Sequence, residues 1–382
     1  MRAERRTVDE SVTALAIGRL VLRDFRNYRT AEVTADGRPV VLWGPNGAGK
    51  TNLLEAISLF APGRGLRGAR LVDMDRRDGG PFRLEAWLVS RDGPREAATW
   101  HEPATDRRFV SLDGGPPRAP AELDELPGIL WLTPSMDRLF GDAPAARRRF
   151  LDRLVLAHYP GHGRAAAAFE RSLRERAQLL REPEADPLWL DALETRMAEQ
   201  AVAVAAARLA FVRDLAAELR AAPTGFPALE PLLTGEVEQR LTATSALAVE
   251  EWLATTLRRA RARDAELGGA SAGPHRSDFG LRFLGSGEPV AATSTGQQKL
   301  ALLAVLIAAV RLRQRLRGEA PLVLLDEVAA HLDAYRRAAL FDLLVATGAQ
   351  VWLSGTDSEL FRPLVGRARI YRVCEARLDA DD

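Results

Sequence analysis

The sequence predicts an α/β fold whose two halves are parted by a helical insertion, and three observations lead there. Gly44-Pro45-Asn46-Gly47-Ala48-Gly49-Lys50-Thr51 follows a short apolar run and opens an amphipathic stretch, the strand, loop and helix order of a phosphate-binding loop. A second apolar run, Leu322-Val323-Leu324-Leu325, ends in the paired carboxylates Asp326 and Glu327. Between them, residues 145–268 carry their apolar side chains at helical rather than alternating spacing.

Taken in order, residues 1–16 are polar and unpatterned, which predicts a loose N-terminal extension. Residues 17–25 alternate into Leu20, Leu22 and Phe25, and after a polar break residues 39–43 are apolar up to Gly44; both suit strands. The helix opened by the glycine-rich loop runs through Leu53, Leu54, Ile57 and Leu59. Residues 82–89, 109–112 and 129–132 are further strand candidates, which makes 17–144 a mixed α/β part.

In the insertion, Phe169, Leu173 and Leu180 predict a helix over 164–180, and Leu193, Met197, Val204, Val212, Leu215 and Leu219 predict one over 188–220. Pro183 and Pro187 punctuate the first junction, and 223–231 the second. A third helix is expected at 246–267, before Gly268 and Gly269. From 269 to 382 the α/β pattern returns, with a helix at 297–316, a strand at 322–325, a helix at 335–346 and a strand at 351–353. The two sequence-distant parts should therefore share one sheet.

Composition narrows the class. At 382 residues and 47% hydrophobic content the chain can bury a large core. Its longest apolar stretch, 300–310, is shorter than a bilayer span and reads as a buried helix. The charged first ten residues lead into no secretory hydrophobic region, and Cys374 is the single cysteine, so a cytoplasmic location is expected. A net charge of +1 neither requires nor excludes nucleic acid, because binding depends on where charges lie. Among 53 cationic side chains only Lys50 and Lys299 are lysines, and each sits in a glycine-containing motif. A compact, flexible ammonium is what the planar guanidinium replaces least well.

The motifs imply phosphate chemistry. Glycines let backbone amides approach phosphate oxygens, Lys50 should meet the β- and γ-phosphates, and the Thr51 hydroxyl should face Mg²⁺. Asp326 at the end of a buried strand would bind the water shell of that metal, and Glu327 would polarise an attacking water. Ser294-Thr295-Gly296-Gln297-Gln298-Lys299 precedes the apolar helix and reads either as a plain helix cap or as a γ-phosphate site. Lys299 in a first turn opposes the helix dipole by about 0.3–1 kcal/mol, unless an anion or an acidic partner lies close.

These motifs together resemble the ABC-type ATPase superfamily, with Ser294 to Lys299 as the signature and Ala330-His331-Leu332-Asp333 as the D-loop. More narrowly, Leu22-Arg23-Asp24-Phe25-Arg26-Asn27-Tyr28, Lys50-Thr51-Asn52-Leu53-Leu54-Glu55-Ala56-Ile57, Gly63-Arg64-Gly65-Leu66-Arg67, Arg147-Arg148-Arg149-Phe150-Leu151-Asp152 and Gly273-Pro274-His275-Arg276-Ser277-Asp278 resemble blocks of the RecF family of bacterial recombination mediators. The resemblance runs from residue 17 to 361. It implies an ABC-type P-loop ATPase head with short helical arms, and ATP contacts that include Arg26, Asn27 and Asn52. It implies an ATP-dependent head-to-head dimer in which Ser294, Thr295, Gly296, Gln297 and Lys299 act in trans, with Asp333 in the D-loop. It further implies binding to gapped or single-strand/double-strand junction DNA, slow DNA-stimulated hydrolysis used as a switch, and RecR and RecO as partners in loading recombinase.

Two positions depart from the pattern: Thr356 stands where a switch histidine is usual, and Thr133-Pro134-Ser135 where a Q-loop is expected. For DNA, Arg64, Arg67 and Arg70 in a glycine-rich loop and Arg147, Arg148 and Arg149 in the basic stretch 145–182 are candidates for backbone contacts, against the alternative of a solvated arginine-rich face. Trp43 reads as core, Tyr28 as near the nucleotide or the lobe interface, and His275 as structural or interfacial rather than zinc-binding. A transporter ATPase subunit and an SMC-like chromosome-organising ATPase remain the competing functions.

Overall fold

A computed structural model describes residues 14–126, 128–182, 184–328 and 332–381. Most of the extension expected at 1–16, Pro183 of the first junction, and Ala330 and His331 of the D-loop lie outside them. The chain forms two compact units, one made of the part up to Met136 with the part from Ala309 onward, the other of Asp137–Ala308.

In the first unit, β1 (Ala16–Phe25), β2 (Tyr28–Thr34), β4 (Arg83–Ser90), β5 (Gly93–Glu102) and β6 (Arg107–Leu112) form an antiparallel sheet in the order β2-β1-β4-β5-β6. Leu84, Ala86 and Leu88 of β4 are buried while their neighbours are not, the alternation of a sheet packed on one face. Two of these strands were not anticipated. The polar break after residue 25 is β2, whose Tyr28, Ala31 and Val33 are buried between exposed Arg29, Thr30 and Glu32. The unanticipated β5 has only the small Ala97, Ala98 and Thr99 at its buried centre.

The second sheet contains β3 (Val40–Trp43), β7 (Ile129–Leu132), β10 (Leu322–Leu325), β11 (Val351–Gly355), β12 (Arg369–Cys374) and β13 (Arg377–Ala380), ordered β13-β12-β3-β11-β10-β7. Pairings from β12 to β7 are parallel. Every residue of β7 and β10 is buried, as expected for parallel strands covered on both faces. The two sequence-distant parts thus share one sheet, and β11 lies between the strand that leads to the glycine-rich loop and the strand that leads to Asp326. After the loop, α1 (Lys50–Ser58) buries Leu53, Leu54 and Ile57, each worth roughly 1.5–3 kcal/mol of burial. The short α2 (Leu71–Met74) and the later α10 (Ala334–Ala346) complete this unit.

The second unit holds α3 (Pro144–Leu156), α4 (His162–Leu179), α5 (Pro187–Arg220), α6 (Glu236–Ala243), α7 (Ala246–Arg259) and α8 (Arg261–Leu267), with a two-stranded sheet of β8 (Leu229–Thr234) and β9 (Asp278–Phe283). The β8–β9 ladder ties residues after 268 to the helices. Asp186 caps α5 by accepting from Leu188 N at 2.8 Å, and Pro187 begins it. At 34 residues α5 is roughly 50 Å long. Met197, Ala201 and Ala205 on one face of it pack with Phe169, Leu253 and Leu257.

The single helix expected at 246–267 is instead α7 and α8, broken at Ala260. The carbonyl of Leu257, which an unbroken helix would give to Arg261 N, accepts from Ala260 N at 3.2 Å and from Arg176 Nη2 at 2.7 Å. The boundary between the units falls inside α9 (Thr295–Arg317). By length and composition α9 could cross a membrane, but 78% of its apolar window is buried inside the protein, as in a core helix.

Candidate nucleotide site

The site assembles in the first unit where β3 runs into the glycine-rich loop. Gly44 has φ 152°, and a Cβ there would meet Val373 O at 2.1 Å, so only glycine passes β12 so closely. Gly49, at φ 119°, heads α1 against the buried Tyr28, whose Oη would lie 2.6 Å from an added Cβ. The first turn of α1 has neither an acidic residue nor a side-chain cap, so its amides and dipole favour an anion from outside the helix. Lys50, 4% exposed, gives Nζ to Gly44 O at 2.8 Å and Pro45 O at 2.9 Å. An ammonium has three donors, so one remains beside the loop. Burial lowers the Lys50 pKa, while the nearby Glu327 and Asp326 raise it.

The chain end of β10 supplies the carboxylates. Asp326 is 5% exposed, and Thr51 Oγ1 lies 2.9 and 3.1 Å from its two oxygens. Ser354 Oγ on β11 donates to Asp326 Oδ1 at 2.6 Å, a separation typical of a hydroxyl on a charged carboxylate. Glu327 follows at φ 51°, a left-handed conformation that costs a non-glycine residue about 1–2 kcal/mol. Its N–H donates to Ser354 Oγ at 3.0 Å. Residues 44–51, 326–327 and 354 thus meet at the ends of three neighbouring strands. No motif in the sequence marks Ser354, because its position depends on strand adjacency, which leaves no local signal. Thr356 itself is exposed, and Thr133 Oγ1 pairs with Ser135 Oγ at 2.8 Å.

Beside the loop, Asn27 Nδ2 donates to Ala48 O at 3.3 Å and Asn52 Nδ2 to Asn27 Oδ1 at 2.8 Å. Arg26, expected at the nucleotide, forks onto the fully buried Glu55 at 2.7 and 2.9 Å and donates to Asp73 O at 2.6 Å. Its guanidinium therefore braces α1 with three of its five N–H donors, and two remain for another partner. Arg67 joins Glu55 at 3.0 Å and Asn52 at 2.7 Å, and Arg70 pairs with Asp73; Arg64, Arg67 and Arg70 are all exposed. Trp43 is half-buried, not core, with Nε1 donating to Asp381 at 3.1 Å.

In the second unit Ser294 and Gln297 cap α9 reciprocally: Gln297 N reaches Ser294 Oγ at 3.4 Å and Ser294 N reaches Gln297 Oε1 at 3.2 Å. Ser294, Thr295, Gly296 and Gln297 are exposed. Lys299 is buried, and Asp137 Oδ2 lies 3.3 Å from its Nζ. Of the two explanations that the dipole left open, an anion or an acidic partner, the structure supplies the second within the same chain, so no anion from another subunit is needed to explain the cation. Arg147 forks onto Asp278 at 2.7 Å and Arg148 donates to Ser277 O at 2.6 Å, while Arg149 is exposed. The first two hold α3 to the start of β9 and the residue before it, which leaves Arg149 as the outward member of the trio. His275 Nε2 lies 2.8 Å from Ala270 O, a structural role. Asp333 caps α10, accepting from Arg336 N at 2.8 Å.

No family model matches the chain. It is 44% identical over 362 residues to the DNA replication and repair protein RecF of Mesorhizobium japonicum, covering 94% of this chain and 96% of that one. To the protein of the same name from Rhizobium etli it is 42% identical over 369 residues, covering 95% and 98%. Its fold is similar to that of the recombination mediator protein RecF-ATPrS in the RecFOR pathway, with TM-score 0.85 at 20% identity over 98% of this chain and 100% of that one. It is also similar to an Smc head domain with an extended coiled coil from Pyrococcus furiosus, with TM-score 0.54 at 14% identity over 96% of each chain. The fold is that of an ABC-type ATPase head.

Proposed function

The chain belongs to the RecF family of DNA replication and repair proteins, and from that premise we propose that it is an ATP-driven switch that mediates recombination. ATP binds at residues 44–52, closes two chains head to head, and the closed dimer holds gapped or single-strand/double-strand junction DNA in the cytoplasm. Hydrolysis to ADP and phosphate is slow, stimulated by DNA, and reopens the dimer. RecR and RecO are the partners with which it helps to load recombinase. The reading rests most on one observation: Lys50, Thr51, Asp326 and Glu327, from segments about 275 residues apart in sequence, converge on one site.

Lys50 uses its remaining donor on the β- and γ-phosphates, where α1 adds its amides. The donors facing each other at Thr51 and Asp326 are hard oxygens, a set that suits Mg²⁺, and these two residues would hold it. When bound, that ion offsets the charge on the phosphates. Glu327 polarises the water that attacks the γ-phosphorus as the bond to the bridging oxygen breaks. With Thr356 in place of a histidine the reaction lacks an imidazole at that position, consistent with a switch rather than a motor. Ser294 to Gln297 of the second chain complete the site over the γ-phosphate, so the nucleotide stabilises the closed state by bonding both halves. Of the arginines, Arg64, Arg67, Arg70 and Arg149 have the exposure needed for DNA backbone contact. Family membership sets aside the transporter reading, and the SMC-like reading keeps only the likeness of fold.

Sedimentation of the wild type and Lys50→Arg, with and without ATP and gapped DNA, tests this. The wild type should form a dimer only with ATP, and the variant should stay monomeric. A wild type that remains monomeric under every condition overturns the shared-site mechanism.

A further inference from the structure

The ladder between β10 and β11 ends at Leu325 and Leu353, one residue before both chains reach the site. Beyond that point a side chain takes over the work of the backbone. Ser354 Oγ donates its proton to Asp326 Oδ1 at 2.6 Å and accepts Glu327 N–H at 3.0 Å. A hydroxyl has one proton and two lone pairs, so donation to the carboxylate and acceptance from the amide are mutually consistent and both can be held at once. Ser354 is 1% exposed, so water does not substitute readily for either bond. Its strand is fixed on the other side by the β3 ladder, in which Ser354 is the register partner of Leu42 and Gly355 that of Trp43. The hydroxyl is therefore anchored to the strand that leads into the glycine-rich loop and spans to the two carboxylate residues.

We propose that Ser354 is a positioning residue for ATP hydrolysis, setting the side chain of Asp326 and the backbone of Glu327 with one hydroxyl. Glu327 adopts φ 51°, and its N–H bond to Ser354 is the contact that fixes where that turn begins. Without it the amide is left unpaired in a part-buried place and the turn relaxes to a right-handed conformation, which moves the carboxylate of Glu327 away from the γ-phosphate side. Asp326 loses at the same time one of the two hydroxyls that orient it. The cradle formed by residues 44–50 contains no bond to Ser354, so ground-state nucleotide binding is not carried by this residue.

The inference rests on the proposed roles of Asp326 and Glu327, and the test separates the two. ATP turnover with gapped DNA and equilibrium binding of a fluorescent ATP analogue are measured on full-length wild type, Ser354→Ala, Ser354→Thr and Glu327→Gln. Loss of a supporting partner of this kind costs about 10–100-fold in activity. Ser354→Ala should lose kcat by that factor with analogue affinity within about threefold of wild type, and Ser354→Thr, which keeps the hydroxyl on a β-branched side chain suited to a strand, should recover most of the rate. Glu327→Gln should be inactive. If Ser354→Ala turns over like wild type while Glu327→Gln is inactive, the positioning role is wrong and the base assignment stands. If Glu327→Gln turns over like wild type, the base assignment fails and the positioning role falls with it. Equal loss of affinity and rate in Ser354→Ala also overturns the proposal, because it marks general damage to the site. Should Ser354→Ala not fold, Ser354→Cys, of similar size but a weak donor, is judged by the same criteria.

Discussion

Asp326 is met by two hydroxyls and Lys50 by two carbonyls, whereas in the helical unit Arg176 is met by two full counter-charges. Arg176 is 1% exposed and holds Glu194 and Asp264 at 2.8 Å each, along with the carbonyl of Leu257. Both clusters are buried, but they are built for different ends. A charge answered by neutral partners can turn to a ligand without stranding an opposite charge; a charge answered by a buried carboxylate cannot. One cluster is ready for exchange, the other fastens α4, α5 and α8 together.

The largest effect should follow from breaking the fastened cluster. Arg176→Ala leaves Asp264 without that cation and Glu194 with Arg261 alone, and should destabilise the protein by about 3–5 kcal/mol, read as a lowered Tm, with nucleotide affinity of the folded protein unchanged. A loss confined to nucleotide binding would erase the distinction between the clusters.

A second fastened acid should show itself in acid. Burial raises the pKa of Asp152, but the bonds from His162 and Arg208 outweigh it and hold the carboxyl down to about 2. A depressed carboxylate stabilises the fold fully above its ordinary value near 3.8 and loses that contribution as pH falls through about 2. Asp152→Asn should therefore flatten the acid limb of the stability curve between those values, by at most about 2 kcal/mol. An unchanged limb would show that the charge of Asp152 is not part of the fastening.

The smallest effect is expected at Tyr28, whose buried hydroxyl has no partner among the described residues. Tyr28→Phe should change stability by less than about 1 kcal/mol and leave nucleotide affinity as it is. A marked loss of affinity would mean that the hydroxyl takes a partner in the nucleotide-bound loop, adding a further exchangeable group to the site.

The two clusters also differ in how well the sequence announces them. The glycine-rich loop and the Asp326-Glu327 pair are contiguous motifs, and β10 starts and stops at the residues its apolar run marks. The bonds of Arg176 join residues 18 and 88 positions apart, so it looked like one more member of a basic stretch. Local patterning failed in the same way at β2, where threonine and arginine faced solvent and hid a buried alternate face, and at Ala260, where a side chain from α4 ends a helix that periodicity would continue. Lys299 shows the limit most clearly. Its oddity was visible, but Asp137, 162 positions away, supplies the explanation.

That leaves the two lysines as the sharpest probe, since both are buried and only one is answered by a carboxylate at contact distance. Titration of a fluorescent ATP analogue, at protein concentrations where the wild type is monomeric, compares Lys50→Ala with Lys299→Ala. Lys50→Ala should weaken binding at least about 100-fold, equivalent to about 2.7 kcal/mol. Lys299→Ala leaves Asp137 partly exposed to water and should stay within about threefold of wild type. Wild-type affinity in Lys50→Ala, or an equal loss in both variants, would contradict the division of this chain into an exchangeable nucleotide site and a fastened helical unit.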